Sequence, residues 1–127
     1  MDLKKYFNKT KGIGVLATAD SSGKVDAAVY ARPHVLEDGT FAFIMADRLT
    51  HHNLQSNPHA AYLFVANQET YEGKRLFLKK VSEEKNTERL KEMRRRCSCH
   101  GAKEDDDDKD RFLVIFKLEK ELPLVGS

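Results

Sequence analysis

The connections between the strand-like runs of this chain are too short for most alternatives to an antiparallel sheet. Gly12 to Ala19 is apolar and β-branched enough for a strand. The cluster Asp20-Ser21-Ser22-Gly23 follows as a turn, and Lys24 to Arg32 reads as the second arm of a hairpin. In that arm Val25, Ala27, Val29 and Ala31 alternate with Lys24, Asp26, Ala28 and Tyr30, a half-buried pattern. Pro33 interrupts the ladder because proline donates no backbone hydrogen bond. His34 to Leu36 resumes extended structure, Glu37 to Thr40 turns, and Thr40 to Met45 is a third long strand. Two further runs, Ala60 to Val65 and Lys74 to Val81, flank a turn-like Asn67 to Gly73. Parallel crossovers need a dozen or more residues, which most of these links do not have.

Helical spacing interrupts this pattern in two places, after an opening helix at Leu3 to Asn8. Arg48 to Pro58 lies between two strands and reads as a short helix. From Ser82, a candidate N-cap followed by Glu83 and Glu84, a longer helix is expected, with Leu90, Met93 and Cys97 as a narrow apolar stripe. Arg94, Arg95 and Arg96 crowd its last turn, where cations suit the helix dipole; that placement explains the basic triplet better than a nucleic-acid contact does. Arg111 to Leu118 is the final and most apolar strand. The expected fold is mainly β with helices (α+β): an antiparallel six-stranded barrel, closed to remove exposed edges, with a short helix after the third or fourth strand and a longer one before the last. Gly12 and Gly14 precede a strand, so they are read as a bend and not as part of a dinucleotide fingerprint.

Composition narrows the function. At 127 residues the chain is expected to be a single domain, residues 1–127, with its own core. A formal charge of +2 gives no reason to expect nucleic acid or a membrane surface. No apolar run approaches the ~20 residues of a membrane span. The polar start, MDLKKYFNKTKG, lacks a secretory signal's apolar region, which points to the cytoplasm. Cys97 and Cys99 are too close for a structural disulfide and lack a second ligand pair for zinc, so they read as reduced thiols. Residues 98 to 110 are acidic enough to be a solvated, mobile loop, without the glycine turn and terminal glutamate of a calcium site.

The stretch Arg48 to His52 carries the chemistry. The first turn of a helix has amide hydrogens without internal partners and the positive end of the dipole. A guanidinium, a hydroxyl and imidazoles at Arg48, Thr50, His51 and His52 would make that turn a phosphate seat; a plain connector helix with solvated polar residues is the alternative. The adjacent histidines point in different directions on a helix, so no metal site is assigned.

Three stretches, GIGVLATADSSGKV, YARPHVLEDGTFAFIM and DRLTHHNLQSNPHAAYLF, resemble the pyridoxamine 5′-phosphate oxidase-like family of FMN-binding split β-barrels. The shared elements are the first hairpin, the strand leading to a basic/hydroxyl loop, and an Asn-Leu-x-x-Asn-Pro helix at Asn53 to Pro58; residues 10 to 66 carry the likeness. The resemblance implies a homodimer with FMN in a groove between subunits and its phosphate at the loop before the short helix. Arg48 matches a basic position that would pair with phosphate oxygens. Thr50 stands where many members have a lysine, a lost charge that His51 or His52, if protonated, would replace. Arg32, beside Pro33, falls near a family arginine that reaches the phosphate or ring edge. His34, Val35, Ile44 and Met45 occupy strand positions facing the ring, and Leu49 belongs to the phosphate loop. True pyridoxamine phosphate oxidases carry a C-terminal portion with tryptophan, arginine and histidine, and this chain has no tryptophan. The implied function is therefore an FMN-dependent oxidoreductase or electron carrier acting on a small molecule or protein partner. The alternative is a non-catalytic barrel binding haem, another anionic ligand or a protein.

Overall fold

A computed structural model describes residues 2–96 and 110–126 of the chain, with Arg96 described by its backbone alone. Cys97 and Cys99, and nearly all of the acidic loop, lie outside the described residues. Among the described residues, seven antiparallel strands and three helices follow the order α1 (Leu3–Lys9), β1 (Ile13–Ala19), β2 (Val25–Tyr30), β3 (His34–Val35), β4 (Phe41–Ala46), α2 (Leu49–Ser56), β5 (His59–Asn67), β6 (Glu72–Lys85), α3 (Glu88–Arg96) and β7 (Arg111–Pro123).

The strands form one open sheet in the order β2-β1-β5-β6-β7-β4-β3. The antiparallel, mainly β architecture with helices is as expected, but the sheet has seven strands and is open, not a six-stranded barrel. His34 and Val35 pair with Ala42 and Phe41 and make a seventh strand, while β2 and β3 remain edges. The sheet still wraps one core, because Tyr30 of β2 meets Phe43 of β4 edge to face at 6.2 Å although four strands separate them in the ladder. Inside lie Leu16, Phe41, Phe43, Tyr62, Phe64, Leu76, Leu78, Val114 and Phe116, with Phe7 of α1 packed among them. Asp2 caps α1 by accepting from the amides of Lys4 and Lys5.

Gly14 lies within β1 and has a different reason from the expected bend. A Cβ on Gly14 would lie 1.9 Å from the Tyr62 hydroxyl, so the missing side chain admits that phenol into the core. The Tyr62 hydroxyl then reaches over β1 to the end of β2, where the carbonyls of Tyr30 and Ala31, at 3.3 and 3.2 Å, share its one hydrogen. Its burial pushes the phenol's pKa well above the usual tyrosine value.

The last helix starts later than the sequence suggests. Ser82 is in β6, opposite Ile115, and the strand runs on to Lys85 opposite Phe112. Rungs to the very apolar β7 outweigh the local capping signal. Asn86 turns the chain at φ 52°, and Thr87 supplies the cap, its hydroxyl accepting from the Leu90 amide at 3.3 Å. Leu90 and Met93 cover a small outer cluster with Ala42, Leu113 and Ile115.

Strand β2 alternates as expected, but its apolar face points outward. Val25 and Val29 are 79% and 75% exposed, while Asp26, Ala28 and Tyr30 turn inward. In register beside them on β1 and β5 lie Val15, Ala17, Ala61 and Leu63. The outer surface of this part of the sheet is thus apolar across three strands.

Candidate functional site

The short helix α2 is held at the split by its own side chains, residue by residue. Leu54 enters the core, and the Asn53 amide donates to the buried Thr18 hydroxyl of β1 at 3.1 Å. Asn57 ends the helix and its side chain accepts from the His59 amide at 3.1 Å, while the Pro58 carbonyl accepts from Lys80 at 2.8 Å. The Asn-Leu-x-x-Asn-Pro element is therefore the frame that fixes the start of the helix, and contributes no ligand-facing group of its own.

A second set of contacts ties α2 to β6. The His51 ring is buried and stacks on Phe112 at 3.7 Å between centroids. Its Nδ1 lies 3.2 Å from Asp47 and its Nε2 3.1 Å from Glu83. Gln55 and Lys80 also donate to Glu83. Partial burial opposes the charge on Glu83, but the hydrogen bonds from Lys80, Gln55 and His51 outweigh it and hold its pKa at about 2.

Beside the helix start, between β2 and β4, is a groove of about 340 Å³. Small-molecule sites typically begin near this size. Asp26, Ala28, Val29 and Tyr30 form one wall; Ile44, Met45 and Ala46 the other; Arg48, Leu49 and Thr50 close the end. Thr50 is buried and its hydroxyl lies 3.5 Å from Asp26 Oδ2. Tyr30 is half-buried; desolvation raises its pKa, partly offset by hydrogen bonding with Thr50 and the nearby Arg48 charge. Arg48 occupies the N-cap in extended conformation and its side chain makes no capping bond. A cation is disfavoured there, because the helix dipole already presents positive charge. The amides of Leu49, Thr50 and His51 have no acceptor inside the helix. An anion at this corner relieves both deficits.

The groove brings together five of the residues expected at a cofactor site: Ile44, Met45, Arg48, Leu49 and Thr50. The other six do not line it. Arg32 gives its guanidinium to the carbonyls of Phe7 and Thr10 at 2.8 and 2.9 Å, closing the end of α1. Pro33 is buried, and His34 and Val35 form β3, with Val35 packed against the core. His51 is occupied by two carboxylates, and its neighbour His52 is exposed on another side of the helix. His59 does not join them, lying 3.6 Å from Glu119. The β2 wall is not evident in the sequence. Its one available signal is Asp26, a lone carboxylate in an otherwise apolar strand.

The residues present fit an aromatic phosphomonoester such as FMN in donor chemistry. Apolar side chains line the walls, while a hydroxyl, a guanidinium and free helix amides gather at one end. Asp26 is the discordant group.

No protein-family model and no curated protein matches the chain. Solved structures do. An FMN-binding protein from Syntrophomonas wolfei is 18% identical with a TM-score of 0.77, over 98% of this chain and 84% of that one. An F420 reductase is 13% identical with a TM-score of 0.74, over 96% and 98% of the two chains. The heme storage protein HutZ from Vibrio cholerae is 16% identical with a TM-score of 0.62, over 96% and 92%. At such identities the likeness is one of fold. Among the described residues no helix is long and apolar enough to cross a membrane. The chain has the split β-barrel fold of the pyridoxamine 5′-phosphate oxidase-like proteins.

Proposed function

We propose that this protein binds FMN in the groove between β2 and β4 and serves as a flavin-dependent oxidoreductase or electron carrier. The observation that carries the reading is the corner at Arg48. An arginine occupies a helix N-cap without capping it, above a buried threonine and beside an apolar slot. Arg48 and the Thr50 hydroxyl would hold the phosphate, with the first-turn amides of α2 as further donors. Ile44, Met45 and Val29 would flank the ring and keep water from one side of it. The flavin itself supplies the redox chemistry.

A second copy of the chain completes the proposed site. Val29 and Leu49 line the groove yet are 75% and 55% exposed, so the slot opens directly onto the apolar outer face of β2. A homodimer packed on that face would cover both.

Titration of the purified protein with FMN, followed by quenching of flavin fluorescence, tests the reading. Saturable quenching at one flavin per chain is expected. No saturation up to millimolar FMN would remove it. Haem, the group named for the Vibrio cholerae neighbour, is the competing occupant; a Soret band on adding hemin, without flavin binding, would favour it.

A further inference from the structure

Within the flavin reading above, on which this inference rests, the placement of one carboxylate has a consequence for how tightly the ligand is held. Asp26 faces inward from β2 and shares the groove with Arg48. Its Oδ2 lies 3.5 Å from the Thr50 hydroxyl, the group best placed to donate to a phosphate. A threonine hydroxyl has one hydrogen to give, so the carboxylate and a phosphate oxygen compete for it. Among the described residues, Asp26 and Arg48 are the one acid and the one base lining the groove, and their formal charges cancel. A phosphomonoester near neutral pH brings between one and two negative charges to this corner. What remains to attract it is the helix terminus, whose pull is modest and screened by salt. The isoalloxazine end meets no such penalty, because Ala28, Val29, Ile44 and Met45 are uncharged.

We infer that Asp26 sets the selectivity of this groove: its carboxylate loosens the grip on the phosphate end, so that FMN is an exchangeable ligand and the dephosphorylated flavin, riboflavin, is bound nearly as well. The protein then takes up and releases flavin in each working cycle. It does not carry FMN as a resident group.

The test compares FMN and riboflavin titrations for the parent chain, Asp26→Asn and Asp26→Ser, with circular dichroism confirming the fold of each. Asp26 is only half-buried on an edge strand, and asparagine preserves its shape. In the parent, the two dissociation constants should agree within about threefold, and gel filtration should strip the flavin. In both variants FMN should bind about tenfold more tightly at low salt, with riboflavin changed less than about twofold, and the gain should shrink as salt is raised. An unchanged FMN constant in both variants would overturn the inference while leaving flavin binding intact. So would a parallel loss for both flavins, which would make Asp26 an acceptor for a ring or ribityl donor. If no protein binds either flavin, the underlying flavin reading fails, and this inference with it.

Discussion

Replacing Glu83 by glutamine separates the anchor of α2 from the groove it supports. The carboxyl moves from an ordinary value of 4.5 to about 2 in the folded chain. A displacement of that size corresponds to roughly 3 kcal/mol favouring the folded state when the group is charged. Glutamine keeps the volume and one acceptor oxygen but loses the charge that Lys80 and His51 face. The Glu83 side chain retains 24% of its exposure, so some of the attraction is screened, and a loss of about 1.5–3 kcal/mol is the expected effect at pH 7. For a domain of this size that lowers the melting temperature by roughly 5–10 °C. Because the folded pKa is depressed, the parent has this stabilisation in full above about pH 5 and loses it as pH falls from 4.5 towards 2. Thermal melts of parent and variant between pH 7 and pH 3 should therefore converge as acid is added. Equal melting temperatures at pH 7, or a gap that stays constant down to pH 3, would refute the argument that Glu83 is held as an anion by its three donors.

Three other outcomes follow from geometry already described. Arg48→Ala should weaken FMN binding by ~1.5–3 kcal/mol, read by fluorescence titration, and leave riboflavin nearly unaffected; an unchanged FMN constant would move the phosphate elsewhere. Gly14→Ala places a methyl group 1.9 Å from the Tyr62 hydroxyl and should destabilise the chain by about 2–4 kcal/mol in urea denaturation, with the urea midpoint as the readout. The parent should elute at twice 14.5 kDa in size-exclusion chromatography with light scattering, and Val29→Lys should shift it to a single-chain mass.

Much of this fold was legible because the strand signals are local. The hairpin turn at Asp20 to Gly23, the turn at Glu37 to Thr40 and the apolar run at Phe112 to Phe116 each announce themselves within a few residues, and all stand where the sequence put them. Arg48, Leu49 and Thr50, with the strand leading into them, were legible as one site because strand, loop and helix are contiguous. The missing parts depend on distance in the chain. Ser82 looks like a helix cap until Ile115, thirty-three positions later, is known to pair with it. Arg32 looks like a phosphate ligand until the carbonyls of Phe7 and Thr10 are seen to claim it. His51 looks like an anion-binding imidazole, and it does face anions, but they are Asp47 and Glu83. The inward turn of Asp26 was hidden for a different reason. Alternation shows that a strand has two faces, not which one an oligomer or a ligand will cover.

The two walls of the groove belong to distant members of the sheet, and no rung of the ladder joins β2 to β4. A change in aperture therefore need not break a backbone hydrogen bond. Tyr30 of β2 meets Phe43 of β4 edge to face across the opening, and Asn53 fastens the stubby helix to β1, so these two small latches, and not the strands, limit how far the slot can gape. Loosening either one by a conservative swap, Asn53→Ser for instance, would alter the on and off rates of whatever enters while the sheet stays intact.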